Sequence, residues 1–182
     1  MSEAAPKDRV RIRAGLQQGR TCRSVRRFRP MSAHAGEADL APRRQVGVLP
    51  FRRMPDGSFM VMLITSRESR RWVIPKGWPM KGRKPYDAAA REAYEEAGLL
   101  GTVGKRPLGF YLYEKRLKSR DAVLCQVKVF PLEVRKQLKH WPERHQREDR
   151  WFRPSEAADA VAEAGLAAII RAACKREAGA LA

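Results

Sequence analysis

A series of short β-branched and aromatic runs, interrupted by one helical segment and closed by another, predicts a mixed α/β or α+β domain. Three observations carry that prediction. Two strand-like runs flank a turn sequence near residue 55, an Ala- and Glu-rich stretch ends at Gly98, and an Ala-rich stretch follows Ser155.

Each element follows from local chemistry. "QVGVLPFRR" (45–53) and "FMVMLITSR" (59–67) are separated by "MPDG", whose Pro55, Asp56 and Gly57 suit a tight turn, so they read as a hairpin or two neighbouring strands. "RRWVIP" (70–75) is a third short strand. Pro85 fits the first helical turn, Asp87 can cap that helix or complement its dipole, and Gly98 is the expected stop. "PLGFYLYEKRL" (107–117) and "AVLCQVKVFPLEV" (122–134) are longer strands joined through "KSRD". From Ser155, a plausible N-cap, the chain is helical, with Gly165 as an interruption.

Bulk composition narrows the class. With 182 residues and 43% hydrophobic content the chain can build a real core. It contains no apolar run long enough to span a membrane. Cys22, Cys125 and Cys174 are odd in number, widely spaced and lack a C-x-x-C pair, which argues against a disulfide framework or zinc knuckle and suits a reducing cytoplasm. A formal net charge of +18 calls for a polyanionic partner: nucleic acid, an acidic membrane surface or a small polyphosphate. A basic surface kept for solubility is the plainer alternative.

Residues 1–43 read as a basic, flexible arm and 44–182 as the folded domain. Across 1–44 there are eleven Lys and Arg against four Asp and Glu, without a sustained period of 2 or 3.6. The arm lacks the apolar segment of a secretory signal; an organelle transit peptide is an alternative reading, weakly supported because Glu3 and Asp8 sit early. Met31 opens a stretch that could serve as the start of the protein. The arm also gives nucleic acid a place to bind.

Against this basic background, "PKGWPMKGRKPYDAAAREAYEEAGLLG" (75–101) places Glu92, Glu95 and Glu96 on one helix, and no Lys or Arg occurs between Glu92 and Gly104. At about 100° per residue, Ala90, Ala93, Tyr94 and Ala97 form a packing face with the glutamates opposite. Arg91 lies at i,i+4 to Glu95 and can hold it. Glu92 and Glu96 repel each other at the same spacing, costing an isolated helix about 0.2–0.5 kcal/mol. A solvated acidic face is the ordinary explanation. Three carboxylates on adjacent turns also suit a hard divalent cation such as Mg²⁺ or Mn²⁺. The preceding loop, with Gly77, Gly82, Lys76, Lys81, Arg83 and Lys84, can hold phosphate oxygens, and a phosphate–metal–carboxylate arrangement accounts for both halves.

The stretch resembles the Nudix box, G-x5-E-x7-R-E-U-x-E-E-x-G-U, with U a bulky apolar residue. Gly77, Arg91, Glu92, Glu95, Glu96, Gly98 and Leu99 match it at the right spacing. Ala93 is small for its U position, and Arg83 stands where the box has its first glutamate. From about Gln45 to Ala157 the chain resembles the branch that hydrolyses diphosphoinositol polyphosphates and diadenosine polyphosphates. Thr65, Ser66 and Arg67 match that branch's S-x-R-like segment, and Arg147 and Arg150 match basic residues before its W-F pair.

The resemblance implies an α+β fold of α/β/α sandwich type, a mixed sheet carrying the box helix and a C-terminal helix. It implies a hydrolase of phosphoanhydride bonds using Mg²⁺ or Mn²⁺. Glu92, Glu95, Glu96 and Arg91 would be catalytic, and Gly77, Glu92, Glu95 and Glu96 would hold metal. Ser66, Arg67, Arg71, Lys76 and Arg147 would bind a phosphate-rich substrate, within a basic pocket extended by Lys81, Arg83 and Lys84. Glu114, Asp121, Glu143 and Glu148 are candidates for a general base. Hydrolysis of 5′-triphosphorylated RNA or of nucleotides is an alternative, as is a nucleic-acid-binding or ligand-sensing protein without turnover. Trp151 and Phe152 read as core residues, and Cys125 and Cys174 as buried thiols.

Overall fold

The structure, a computed structural model, describes residues 41–116 and 122–179. Residues 1–40 of the basic arm, with Cys22 and Met31, and the 117–121 connection, with Asp121, lie outside the described residues, as does the side chain of Cys174. The elements are β1 (Arg43–Arg53), β2 (Phe59–Thr65), β3 (Trp72–Val73), β4 (Lys76–Gly77), α1 (Pro85–Ala97), β5 (Leu99–Val103), β6 (Gly109–Arg116), β7 (Ala122–Gln137), β8 (Asp149–Phe152), α2 (Pro154–Ala160) and α3 (Ala164–Gly179).

The strands form one mixed sheet with a central order β3-β2-β1-β7-β5, to which β4, β6 and β8 add beside β1, β7 and β2. β1 and β7 run parallel, with Arg43 opposite Cys125 and Phe51 opposite Glu133, and the other pairings are antiparallel. The expected β1–β2 hairpin forms, and Gly57, at φ 79°, donates its N–H to the Met54 carbonyl at 2.9 Å.

Side chains alternate across a strand, so a sheet covered on both faces reads as a continuous apolar run. Leu49, Val61, Leu63, Val127 and Val129 point to one face and pack under Leu166 and Ile170 of α3. Val48, Met62, Ile64, Phe130 and Leu132 point to the other and pack under Ala88, Ala89, Ala93 and Ala97 of α1. The result is the α/β/α sandwich that the resemblance implied. Truncating one of these fully buried aliphatic side chains to alanine costs about 2–5 kcal/mol. Phe152 is buried and Trp151 packs against the α1-side cluster, so the W-F pair belongs to the core, and Cys125 is a buried thiol.

Several local expectations change. Lys84, not Asp87, occupies the N-cap of α1; Asp87 lies in the first turn, where it complements the dipole. Gly98 ends the helix in the left-handed conformation, φ 65°, as expected. The C-terminal segment starts one residue before Ser155 and divides at Val161–Glu163, giving α2 and α3. Gly165 therefore lies inside α3. A Cβ there would come within 2.9 Å of the Tyr111 Cβ, so this glycine lets α3 press onto β6. The buried stripe of α1 is Ala88, Ala89, Ala93, Glu96 and Ala97, while Ala90 and Tyr94 are only partly covered. The stripe is rotated toward the glutamates, and Glu96 falls within it.

Candidate active site

The site begins with a break in strand pairing. The C-terminal half of β1 pairs with β2, but its N-terminal half pairs with β4, Val46 opposite Gly77 and Gly47 opposite Lys76. The Val48 N–H donates to the Pro75 carbonyl at 3.1 Å and fixes the approach of "PKG". This lays Lys76 and Gly77 beside α1. The Lys76 N–H donates to Glu96 Oε2 at 2.9 Å. The Glu92 carboxylate lies where a Cβ on Gly77 would stand, so only glycine leaves room for it.

The three glutamates do not share one fate. Glu95 is partly exposed and accepts a hydrogen bond from Arg91 Nε at 2.5 Å, the i,i+4 pair expected from spacing. Glu96 is buried and ion-paired with Arg147 Nη2. Glu92, half-buried, has neither a hydrogen-bond nor an ion-pair partner among the described residues. Its pKa is pushed up to about 7, first by burial and then by the charges of Glu96, Glu95 and Glu143. Burial likewise raises Glu96, opposed by Lys76 and Arg147. The reading of three glutamates without a compensating cation is thus corrected: Arg147 approaches Glu96 from 51 residues downstream.

Arg147 is the central cation of this cluster, its side chain 6% exposed. Besides Glu96 it donates from Nε to Glu143 Oε2 at 2.8 Å and from Nη1 to the Thr65 carbonyl at 3.0 Å. Glu143 also pairs with exposed Arg67 at 3.5 Å, and its backbone N–H donates to the Glu95 carbonyl at 3.1 Å. The segment after β7 is therefore tied to both β2 and α1. Thr65 Oγ1 accepts the Glu148 N–H at 2.9 Å and completes the tie.

Of the other expected substrate contacts, Ser66 closes a tight turn, its Oγ 2.7 Å from Ser69 Oγ and accepting the Arg71 N–H at 3.2 Å. Arg71 reaches Glu163 at 3.4 Å. Burial lowers the pKa of the Lys76 ammonium, against the opposing charges of Glu96 and Glu163, and the ammonium sits 5.4 Å from the Tyr113 ring. Arg150 lies over the Phe152 ring at 4.9 Å. Arg67, Arg71, Lys76 and Arg147 thus belong to one charge network around Glu143, Glu96 and Glu163.

Arg83 and Lys84 do not join it. With Gly82, Asp87, Ala90, Arg91, Tyr94 and Leu100 they line a cavity of about 560 Å³ against the opposite face of α1. Half of the basic pocket expected from the loop therefore faces away from Glu92 and Glu96. Sequence reasoning missed Glu163, at the α2–α3 junction, because nothing in its neighbourhood marks it. Tyr113, whose hydroxyl donates to Gln45 Oε1 at 2.7 Å, was legible only as a strand residue.

The oxygen donors suit a hard divalent cation. An unpaired, half-buried carboxylate beside two others is an electrostatic arrangement that such an ion relieves. As they stand, no three His, Cys, Asp or Glu side chains converge closely enough to hold one among the described residues. Glu96 is instead paired with Arg147 and Glu95 with Arg91. Nor is any helix among the described residues long and apolar enough to cross a membrane.

Comparison with known proteins bears on the family and the fold. The chain is 32% identical over 127 residues to "Nudix hydrolase 13, mitochondrial" of Arabidopsis thaliana, covering 61% of this chain and 63% of the relative. It is 34% identical over 124 residues to "Nudix hydrolase 18, mitochondrial" of the same plant, covering 65% and 68%. "Diphosphoinositol polyphosphate phosphohydrolase 3-alpha" of Mus musculus is 33% identical over 100 residues, covering 54% and 57%. The chain thus spans less than two thirds of the first and third of these relatives. Among solved structures, the C. elegans Ap4A hydrolase binary complex matches with a TM-score of 0.57 at 19% identity, covering 75% of this chain and 98% of that one. RenU, a Nudix hydrolase from M. smegmatis, matches with a TM-score of 0.53 at 24% identity, covering 76% and 86%. These two show a shared fold. The family model for the NUDIX domain matches residues 41–173, most of the chain and all of the network around α1, and the chain therefore belongs to the NUDIX domain family.

Proposed function

We propose that this protein is a divalent-metal-dependent pyrophosphohydrolase that cleaves a phosphoanhydride bond in a phosphate-rich substrate. The observation that carries this reading is the half-buried, unpartnered Glu92 carboxylate, set against Gly77 and under the charge of Glu96, Glu95 and Glu143. Glu92, Glu96, Glu95 and the Gly77 carbonyl would hold Mg²⁺ or Mn²⁺. When bound, the ion supplies charge neutralisation at the phosphate oxygens and activation of a water.

The chain's own residues do the rest. Arg91 fixes Glu95, and the Lys76 N–H fixes Glu96. The Lys76 ammonium and Arg67 flank the glutamates and orient phosphate oxygens, while Arg71 borders the same network. Glu143 is the favoured base. Its charge acts on both Glu92 and Glu96, whereas Glu114 is exposed on β6 and Glu148 is exposed and engaged with Arg70.

For substrate, a diphosphoinositol polyphosphate or a diadenosine polyphosphate fits Arg67, Arg71 and Lys76 beside the glutamates, and the names of two relatives point the same way. Residues 44–182 would be the catalytic domain and 1–43 a basic arm with the charge to bind nucleic acid. Cysteine usage suits a reducing compartment such as the cytoplasm; several relatives are named mitochondrial.

The test is a hydrolysis panel of these two substrates, 5′-triphosphorylated RNA and a sugar nucleotide, with Mg²⁺ or Mn²⁺, run on the wild-type chain and on Glu96→Gln. Metal-dependent turnover of a polyphosphate, abolished by the substitution, is expected. Equal background release from both proteins would instead favour a ligand sensor.

A further inference from the structure

We propose that Arg147 is a built-in counter-cation that competes with the divalent ion for Glu96, so that ion binding and departure of the guanidinium from Glu96 are one event. The proposal rests on the reading of Glu92 and Glu96 as metal ligands.

Both Glu96 oxygens are engaged by the chain itself. Oε2 accepts the Lys76 N–H at 2.9 Å, and Oε1 accepts Arg147 Nη2. An arginine cannot step aside by losing its proton, since guanidinium remains charged throughout the accessible pH range. It stands as a fixed positive charge at the oxygen a cation would take, and it must move before the ion and Glu96 can meet.

Its other contacts make that movement possible. Nε remains on Glu143 Oε2 at 2.8 Å and Nη1 on the Thr65 carbonyl at 3.0 Å. Released from Glu96, the guanidinium keeps two acceptors and stays satisfied within a nearly closed environment. The same arrangement explains how the metal-free fold tolerates Glu96. A buried carboxylate with no cation would be strongly unfavourable, and Arg147 supplies one from within. Glu92, which Arg147 does not pair with, is left as the carboxylate ready for the ion.

Competition has an uncommon signature: removing the competitor strengthens binding at the site while weakening the empty fold. Mn²⁺ titration of the full chain, followed by the electron paramagnetic resonance signal of free Mn²⁺, reads the first effect, and thermal melting of metal-free protein reads the second. Arg147→Gln should tighten Mn²⁺ binding by about tenfold or more, the scale expected when a unit positive charge is removed from beside the site. It should also lower the melting temperature without metal, and Mn²⁺ should restore a large part of the loss. A purely structural role for Arg147 would lower the melting temperature while leaving Mn²⁺ affinity unchanged or weaker, and that result overturns the proposal.

If Arg147→Gln does not fold, Arg147→Lys decides. Lysine keeps the charge but loses the planar fork that bridges three acceptors. A tightening smaller than that of Arg147→Gln is expected, because the charge stays while the ammonium grips Glu96 through fewer fixed hydrogen bonds, and unchanged or weaker binding again refutes the competition. Wild-type binding without tightening in the variants defeats this inference alone. Absence of Mn²⁺ binding in every protein defeats the metal-site reading with it.

Discussion

The two long faces of α1 carry similar residues and are built differently. On the inner face, Glu92 and Glu96 meet Lys76, Glu143 and Arg147 among buried or half-buried groups, with Glu96 and Arg147 fully engaged and the Glu92 carboxylate left without a partner among the described residues. On the outer face, Arg83, Lys84, Asp87 and Arg91 border an open cavity of about 560 Å³ in which charges meet water. The lesson concerns burial. A charge pair at the surface contributes about 0–1 kcal/mol, whereas breaking a buried pair by removing one partner costs about 3–5 kcal/mol. The carboxylates held above their ordinary range by burial, Glu92 and Glu96, lie on the inner face.

The contrast is broken most severely at Glu96. Glu96→Ala removes one of the two carboxylates that Arg147 pairs with and leaves Glu143, and a loss of about 1.5–3 kcal/mol in urea unfolding is expected. Glu96→Gln is milder for the fold, but turnover of a polyphosphate in steady-state assays should fall about 10²–10³-fold.

Gly77→Ala separates chemistry from stability. The new methyl group would displace only the far end of the Glu92 side chain. Hydrolysis should therefore drop about 10–100-fold, the range for displacing a group that orients a metal ligand. The melting temperature should remain close to wild type, and a collapse in it would show that Gly77 serves the fold first.

A third test uses pH. Glu92 titrates at about 7 in the fold against an ordinary 4.5, so between those values the native state holds a proton that the unfolded chain has lost. Stability of the metal-free protein from this group is full below about 4.5 and declines as pH rises to about 7. Urea melts at pH 5 and pH 7.5 should show the decline, and Glu92→Gln should flatten it. A wild-type slope that persists in the variant assigns the effect elsewhere.

The smallest effects belong to the outer face. Lys84→Ala and Arg83→Ala should leave melting temperature unchanged within error and change kcat/KM for a polyphosphate by less than about threefold. A larger loss in kcat/KM would bring the outer cavity into substrate binding and erase the distinction between the faces.

How far the sequence led depends on whether a signal was local. The α1 boundary, the Gly98 stop and the turn at Pro55–Gly57 are written in adjacent residues, and they form as expected. The box residues on α1 were legible for the same reason. β5 and β8 were not: β5 carries Gly101 at a bulge, and β8 lies in a charged stretch whose strand character comes from pairing with β2. The partner of Glu96 was beyond local reading. Counting lysines and arginines along the chain asks about neighbours in sequence, and Arg147 is a neighbour only because Thr65, Glu143 and Glu96 meet around it.

The divided pairing of β1 bears on how this region moves. One strand serves at once as a central beam of the core and as the mooring for Lys76 and Gly77. A one-residue slip of β1 would turn Val46 and Val48 away from α1 and carry the mooring with them. The floor beneath Glu92 can therefore loosen only when the core itself opens, and any suppleness needed for ligand exchange has to come from side chains and from the segment around Glu143.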